Sequence, residues 1–258
     1  ILGQFVLARA DVLPDSAVSA ATTVQPDGGD YRVMVPLANP EHQHELITLA
    51  SAIAKQRGGT VVATHIVTVP DQTPLARAAE QGDRFDETSA ELLDTAKADA
   101  ETFGVPVETH TIYSHRQFEE VFDAANTYDA DLVVMGWGPD AHGSPGRAES
   151  AMDEFVGSLP CDILVLRDRD LDASRILVPT AGGPDSALSG EIARLLAAEF
   201  DGEVTLLNVS PQAERAEAED FLEAWATEHG LAEADRIVES GDVEAAIERR
   251  AAAHSLPL

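Results

Sequence analysis

Residues 135–150 read MGWGPDAHGSPGRAES, with Gly136, Gly138 and Gly143 spaced among Ser144 and Ser150. The apolar run Leu132-Val133-Val134-Met135 precedes this stretch, and a helical pattern over 150–159 follows it. A glycine-rich turn between a strand and a helix can aim backbone N–H groups at an anion, so the chemistry to consider first is a phosphate cradle. Gly182-Gly183 follows a second apolar run. Those two could admit a phosphate on a backbone nest, or could serve a turn that needs positive φ. His42-x-His44 lies at a helix start beside Glu41 and Glu45, with His142 on the glycine-rich loop. Residues two apart on a helix do not share a face, so these histidines are expected to be solvated rather than metal ligands. Ser150, His115 and Asp131 supply the residue types of a hydrolytic triad, but no Gly-x-Ser-x-Gly elbow surrounds any serine. Trp137 could stack on a base, or pack on a neighbouring helix.

The elements that must position these residues alternate. Short β-branched runs occur at 31–36, 60–68, 105–113, 132–135 and 163–166, with helical patterns at 41–56, 74–103, 117–126 and 150–159. Strands alternating with helices predict a parallel α/β sheet. The pattern then starts again. Arg32-Val33-Met34-Val35-Pro36-Leu37-Ala38 matches Arg175-Ile176-Leu177-Val178-Pro179-Thr180-Ala181, an offset of 143. Gly59-Thr60-Val61 keeps that offset onto Gly202-Glu203-Val204, and His65 falls on Asn208. By Ser114 and Ser240 the offset is 126, and at that spacing Leu132 falls on Leu258. A constant offset across strand, helix and strand points to a duplication. The expected organisation is a linker or extension over 1–30, a first domain over 31–168, and a second over 174–258 that stops before its fourth strand. The charged join over 167–174 is the expected hinge.

Composition narrows the function classes. The chain carries 46 acidic and 17 basic residues, a net charge of −29, and only Lys55 and Lys97 among the basic residues are lysines. Such self-repulsion is best tolerated where salt screens it, as on the acidic, lysine-poor surfaces of proteins from salt-accumulating haloarchaea. Nucleic acid is not expected as a partner and anionic membrane surfaces are poor ones, because phosphate binding relies on cationic side chains. The acidic stretch 83–101 reads as a solvated helix face. No apolar run approaches the roughly 20 residues of a spanning helix. The apolar residues 1–10 lack the basic region of a signal peptide. With no initiator Met, the sequence is expected to be a piece of a longer chain. The lone Cys161 fits a reducing compartment.

Val35-Pro36 and Val178-Pro179 at strand ends, VVMGWG at 133–138 and LPCDILVL at 159–166 resemble the universal stress protein family. The resemblance covers 31–168 in full and 174–258 in part. It implies a flavodoxin-like, three-layer fold with a five-stranded parallel sheet, followed by a second, incomplete copy. It also implies an ATP or AMP site built on Gly-x2-Gly-x9-Gly-Ser/Thr, with an Asp following Val-Pro-x. Counted from Gly136, that spacing puts Pro139 and Glu149 in the second and third glycine positions and Ser150 in the hydroxyl position. The Asp position holds Ala38 in the first copy and Ala181 in the second. Proline removes an N–H donor, and a carboxylate at the helix start repels phosphate. The nucleotide site (Gly136, Gly138, Gly143, Ser144, Ser150, Ala38) is therefore expected to be degenerate, with no cofactor bound. ATP or AMP sensing through that loop is the alternative.

The order VLARADVLP…VQPDGGDYRVMVPLANPEH also resembles the cytoplasmic C-terminal region, with tandem universal stress domains, of haloarchaeal amino-acid permeases in the amino acid–polyamine–organocation superfamily. Together these features imply a non-catalytic regulatory module, cytoplasmic and tethered at the membrane face. Its implied partners are the membrane domain of a transporter in the same chain and a second copy of itself. Family members pair through their last strands, so the homodimer contact is expected at Ile163, Leu164, Val165 and Leu166.

Overall fold

The computed structural model describes residues 16–24, 31–38, 40, 43–75, 78, 86–137, 159–167 and 171–258. The chain separates into two compact units, Ile1–Arg169 and Asp170–Leu258. Each unit is built around its own sheet.

In the first unit, β1 (Ser16–Val24), β2 (Arg32–Leu37), β3 (Thr60–Thr68), β4 (Val107–Ser114), β5 (Leu132–Trp137) and β6 (Asp162–Arg167) form one sheet in the order β1-β4-β3-β2-β5-β6. The five strands β2 to β6 are mutually parallel. Parallel strands are covered on both faces, so their apolar residues run without alternation. Val33, Met34 and Val35, Val61, Val62 and Ala63, and Leu132, Val133 and Val134 are all fully buried. Helices α1 (Gln43–Arg57) and α2 (Asp86–Phe103) pack side by side against the sheet. Val121, Ala124 and Ala125 of α3 (Gln117–Thr127) pack on Met34, Val62, Ile112 and Val133. Gly136, three positions after Val133 and so on the opposite face of β5, meets Leu46 of α1. The unit is thus three layers, helix, sheet and helix. On α2, Leu92, Leu93, Ala96 and Ala100 are buried while Glu91, Asp94 and Glu101 are exposed, a solvated acidic face as its composition predicts.

One expectation needs correction. Residues 16–24 are not a linker but strand β1, antiparallel to β4 from Ser16 opposite Ser114 to Val24 opposite Val107, with a bulge between Val18 and Ala20. The end strand of a sheet offers a row of unpaired backbone groups, and SAVSAATTV, with no charge and four β-branched residues, suits that edge. Its pattern lacks the apolar alternation of a core strand, so periodicity alone does not reveal it.

The second unit contains β7 (Arg175–Pro179), β8 (Glu203–Val209), β9 (Asp235–Glu239) and β10 (Leu256–Pro257), all parallel, in the order β10-β7-β8-β9. Helices α4 (Pro184–Phe200), α5 (Arg215–Glu228) and α6 (Val243–Ala251) connect them. This is the order of the first four parallel strands of the first unit. Counting at an offset of 126 places the start of the fourth strand at Leu258. Instead Leu256 pairs with Ile176, as Leu132 pairs with Val33, and the Leu258 N–H donates to Leu177 C=O at 2.9 Å. The discrepancy of two residues equals the difference in length between α3, 11 residues, and α6, 9 residues. Two residues of a fourth strand are therefore present, where the sequence reading stopped short of it. The core is Ile176, Leu177, Val178, Ile192, Leu196, Leu206, Leu207 and Leu222. Gly190 lets α4 lie against α5, because a Cβ there would stand 2.5 Å from Trp225. Gly190→Ala is expected to lower the unfolding free energy by about 1–3 kcal/mol, measured by urea titration, since overpacking displaces the indole.

Candidate functional site

In open α/β sheets ligands bind beyond the carboxyl ends of the strands, where the strand order reverses. In the first unit that point lies between β2, whose successor β3 is on one side, and β5 on the other. Chain leaving β2 passes through Ala38, which is exposed and offers only a methyl group. At the end of β5, a Cβ on Gly136 would touch Leu46 Cδ1 at 3.5 Å, an ordinary contact, so packing does not require glycine there. Gly138, Gly143, Ser144 and Ser150, with Pro139 and Glu149, lie outside the described residues, as does the side chain of Trp137. On β3, His65 Nδ1 is 2.8 Å from Ser89 Oγ of α2, and burial pushes the His65 pKa down. Beyond β4, His115 Nδ1 meets Val69 C=O at 2.9 Å.

The equivalent corner of the second unit is fully described. Thr180 donates its N–H to Leu207 C=O at 2.8 Å, and its own carbonyl accepts from Asn208 Nδ2 at 2.9 Å. Ser210 Oγ donates to Asn208 Oδ1. Asn208, at the position of His65, thus ties the end of β7 to the end of β8. Gly182 (φ +86°) and Gly183 (φ +95°) both hold left-handed backbone, and Pro184 opens α4. Two consecutive positive φ values account for both glycines, so the turn explains them without a ligand. Ala181 is exposed, like Ala38.

The other constellations do not assemble. His115 follows the carboxyl end of β4, whereas Asp131 precedes β5 and accepts from Arg32 N–H at 2.8 Å at the opposite end of the sheet. They cannot share a triad. His44 is exposed, with its Nδ1 3.1 Å from Asp99 Oδ2, and His42 and His142 lie outside the described residues. No group of three His, Cys, Asp or Glu side chains among the described residues could hold a metal. Burial, with Asp162 beside it, pushes the Cys161 thiol up to about 11.

Sequence reasoning missed one polar cluster, on the α3 face. Arg32 grips Glu108 through two bonds, 3.1 and 2.6 Å, and donates through Nε to Tyr128 C=O at 2.6 Å. That grip holds the Glu108 pKa below its usual value. His110 stacks on Tyr128 with centroids 4.1 Å apart. Its ring nitrogens and the Tyr128 hydroxyl are buried with no hydrogen-bond partner among the described residues. Glu108 Oε2 is 3.6 Å from His110 Nε2, beyond hydrogen-bond reach. Burial lowers the His110 pKa more than Glu108 raises it. The spacing Glu108-x-His110, two residues on one face of a strand, was a legible signal for the cluster. Because folded His110 gives up its proton more readily than unfolded His110, with its ordinary pKa of 6.5, this residue's contribution is intact above pH 6.5 and is lost as pH falls below it. Between pH 7.5 and 5.5 the melting temperature of the native chain is expected to fall further than that of His110→Phe, which keeps the stack and removes the titration.

Residues 31–167, more than half of the chain, match the model of the universal stress protein family. The chain belongs to the universal stress protein family. No sequence among the curated proteins matches it. Solved structures extend the likeness beyond the matched region. A universal stress protein from Archaeoglobus fulgidus superposes with a TM-score of 0.60 at 16% identity, over 88% of this chain and 85% of that one. The cytoplasmic domain of a prokaryotic cation chloride cotransporter gives 0.59 at 13% identity, over 82% and 79%. A universal stress protein of Pseudomonas aeruginosa gives 0.52 at 14%, over 86% and 78%. These likenesses establish the fold. In this universal stress protein Ala38 follows Val35-Pro36-Leu37, and Ala181 follows Val178-Pro179-Thr180 in the second unit.

Proposed function

We propose that this chain is a non-catalytic regulatory module of two tandem universal stress domains, with a degenerate nucleotide site. The observation that carries the reading is the exposed methyl group of Ala38 at the mouth of the crevice, repeated at Ala181. A nucleotide's ribose and phosphates need polar and charged partners, and neither position supplies one. Pro139 and Glu149 act in the same direction, one removing a donor and the other opposing an anion. The module works by packing against other protein surfaces, not by turnover. The proposed setting is the cytoplasmic portion of an amino-acid transporter, held at the membrane face. Its support is the sequence resemblance around residues 6–42, together with the use of this fold as a cytoplasmic domain by a cation chloride cotransporter. No helix among the described residues is long and apolar enough to cross a membrane.

Calorimetry in molar KCl with ATP and AMP tests the site. No heat of binding is expected at millimolar nucleotide, and Ala38→Asp combined with Pro139→Gly and Glu149→Gly is expected to create measurable affinity. Tight binding by the native chain would instead make it a nucleotide sensor acting through Gly136 to Ser150. Self-association is the second part of the reading. Ile163, Leu164, Val165 and Leu166 of β6 pair with β5 on one side, and among the described residues no strand lies on the other. An apolar edge is relieved by the same edge of a second copy, antiparallel across a two-fold axis. Light scattering in molar salt is expected to give about twice 27.4 kDa, and Val165→Lys to move it toward the single mass. A native monomer would end this part of the proposal.

A further inference from the structure

The two units differ at one corresponding place. The third parallel strand of the first unit, β4, carries antiparallel β1 along its outer edge. The third strand of the second unit, β9, pairs only with β8 among the described residues. Only residues 168–174 separate β6 from β7, too few to supply a strand as 16–24 does and still enter β7.

The outer edge of β9 is also chemically distinct. Glu239 C=O accepts from Ser210 N–H, on the side of β8. Strand groups alternate in direction, so the backbone N–H and C=O of Arg236 and Val238 point outward. The Val238 carbonyl is met by Arg215 Nη1 at 3.2 Å, a donor that an incoming strand's N–H can replace. Beside this edge runs a groove of about 530 Å³ lined by Arg215, Arg236, Arg250, Glu219 and Glu223 and floored by Leu222, Ile237 and Val238. In a chain with 46 acidic and 17 basic residues, three arginines against two glutamates at one groove is a local reversal of the balance. Arg215 and Arg250 are held by Glu219 and Glu239. Exposed Arg236 has only the Ala232 carbonyl, at 3.5 Å, among the described residues.

We propose that the outer edge of β9 binds an extended, acidic peptide segment of a partner protein, added as an antiparallel strand with a carboxylate opposite Arg236. The precedent is the chain's own β1 on β4. Charge selects the partner: a side chain directly opposite Arg236 has its Cβ about 5 Å away, within reach of a guanidinium fork. A second copy of β9 is disfavoured, since antiparallel pairing about Ile237 would set Asp235 against Glu239. The inference does not depend on the nucleotide reading.

Fluorescence anisotropy of the full chain in 1 M KCl tests it, using the labelled peptide TEVEVEVET and its lysine counterpart TKVKVKVKT. The acidic peptide is expected to bind with a dissociation constant below about 100 μM and the lysine peptide at least about tenfold more weakly. Arg236→Glu reverses the charge and keeps the N–H. Arg236→Pro removes an outward donor without touching the ladder to β8. Both changes are at an exposed site, and each is expected to weaken acidic-peptide binding about tenfold or more. Absence of binding, equal binding of the two peptides, or indifference to both variants would overturn the proposal. Displacement by millimolar inorganic phosphate would instead mark a small-anion pocket. A drop in molecular mass of the free protein on Arg236→Glu would mark a contact between copies. Either result overturns it too.

Discussion

Raising KCl from 0.1 M to 3 M is expected to lift the melting temperature by on the order of 10 °C. The screening length contracts from about 10 Å at 0.1 M to about 3 Å at 1 M, which silences repulsion between surface carboxylates several residues apart. A net charge of −29 is spread over exposed faces such as Glu91, Asp94 and Glu101 on α2 and Glu217, Glu219, Asp220 and Glu223 on α5. Relief of roughly 4 kcal/mol, at about 3 °C per kcal/mol for a chain of this length, gives that rise. The partly buried Arg32–Glu108 pair is screened less than these exposed charges and is expected to weaken less. Equal molarities of a neutral osmolyte serve as the control. A flat salt dependence would remove the halophilic reading, and with it much of the argument from composition.

The second large effect is expected from two corresponding glycines. Gly59→Ala and Gly202→Ala are each expected to cost about 2–4 kcal/mol. A Cβ on Gly59 would stand 2.2 Å from Tyr31 O, and one on Gly202 would stand 2.1 Å from Ala173 O. Neither glycine is held in left-handed backbone, so the cost comes from close approach alone. The carbonyl at the first site cannot retreat cheaply, since Tyr31 C=O accepts Thr60 N–H at 2.8 Å where β3 begins beside β2. Moving it removes a bond that sets the register of the central strands. Urea unfolding of each variant in molar KCl checks this. A loss under about 0.5 kcal/mol at both sites would show that the strand entries are looser than these distances imply. Unequal losses would show that the two units do not meet the constraint alike.

The parallel strands and their helices were legible because a strand buried on both faces must be apolar throughout, as 33–35, 61–63 and 132–134 are. Gly59-Thr60-Val61 and Gly202-Glu203-Val204 match in sequence, and each glycine lies against a carbonyl at a strand entry, Tyr31 in the first unit and Ala173 in the second. Strand β1 was not, because an antiparallel edge strand of small residues leaves no apolar period. The start of β10 was misplaced by two residues because a shorter α6 changes the offset without changing any motif. At the crevice, Ala38 and Ala181 could be placed from sequence, since each follows directly from its strand. In the polar cluster only Glu108-x-His110 carries a sequence signal; Arg32 reaches Tyr128 and Glu108 from 96 and 76 positions away, which only the folded chain brings together.

Strand β1 also makes the first unit a mechanical element. Because β1 runs antiparallel to β4, Ser16 lies opposite Ser114, at the carboxyl end of the sheet where the crevice opens. Tension applied to Ser16 along the strand axis loads the pairs from Ser16/Ser114 to Val24/Val107 in shear, so that they resist together. Tension across the sheet would open the same pairs one at a time, starting beside Ser114. The attachment is therefore stiff in one direction and peels in another, and the direction of pull decides whether the edge of β4 stays covered.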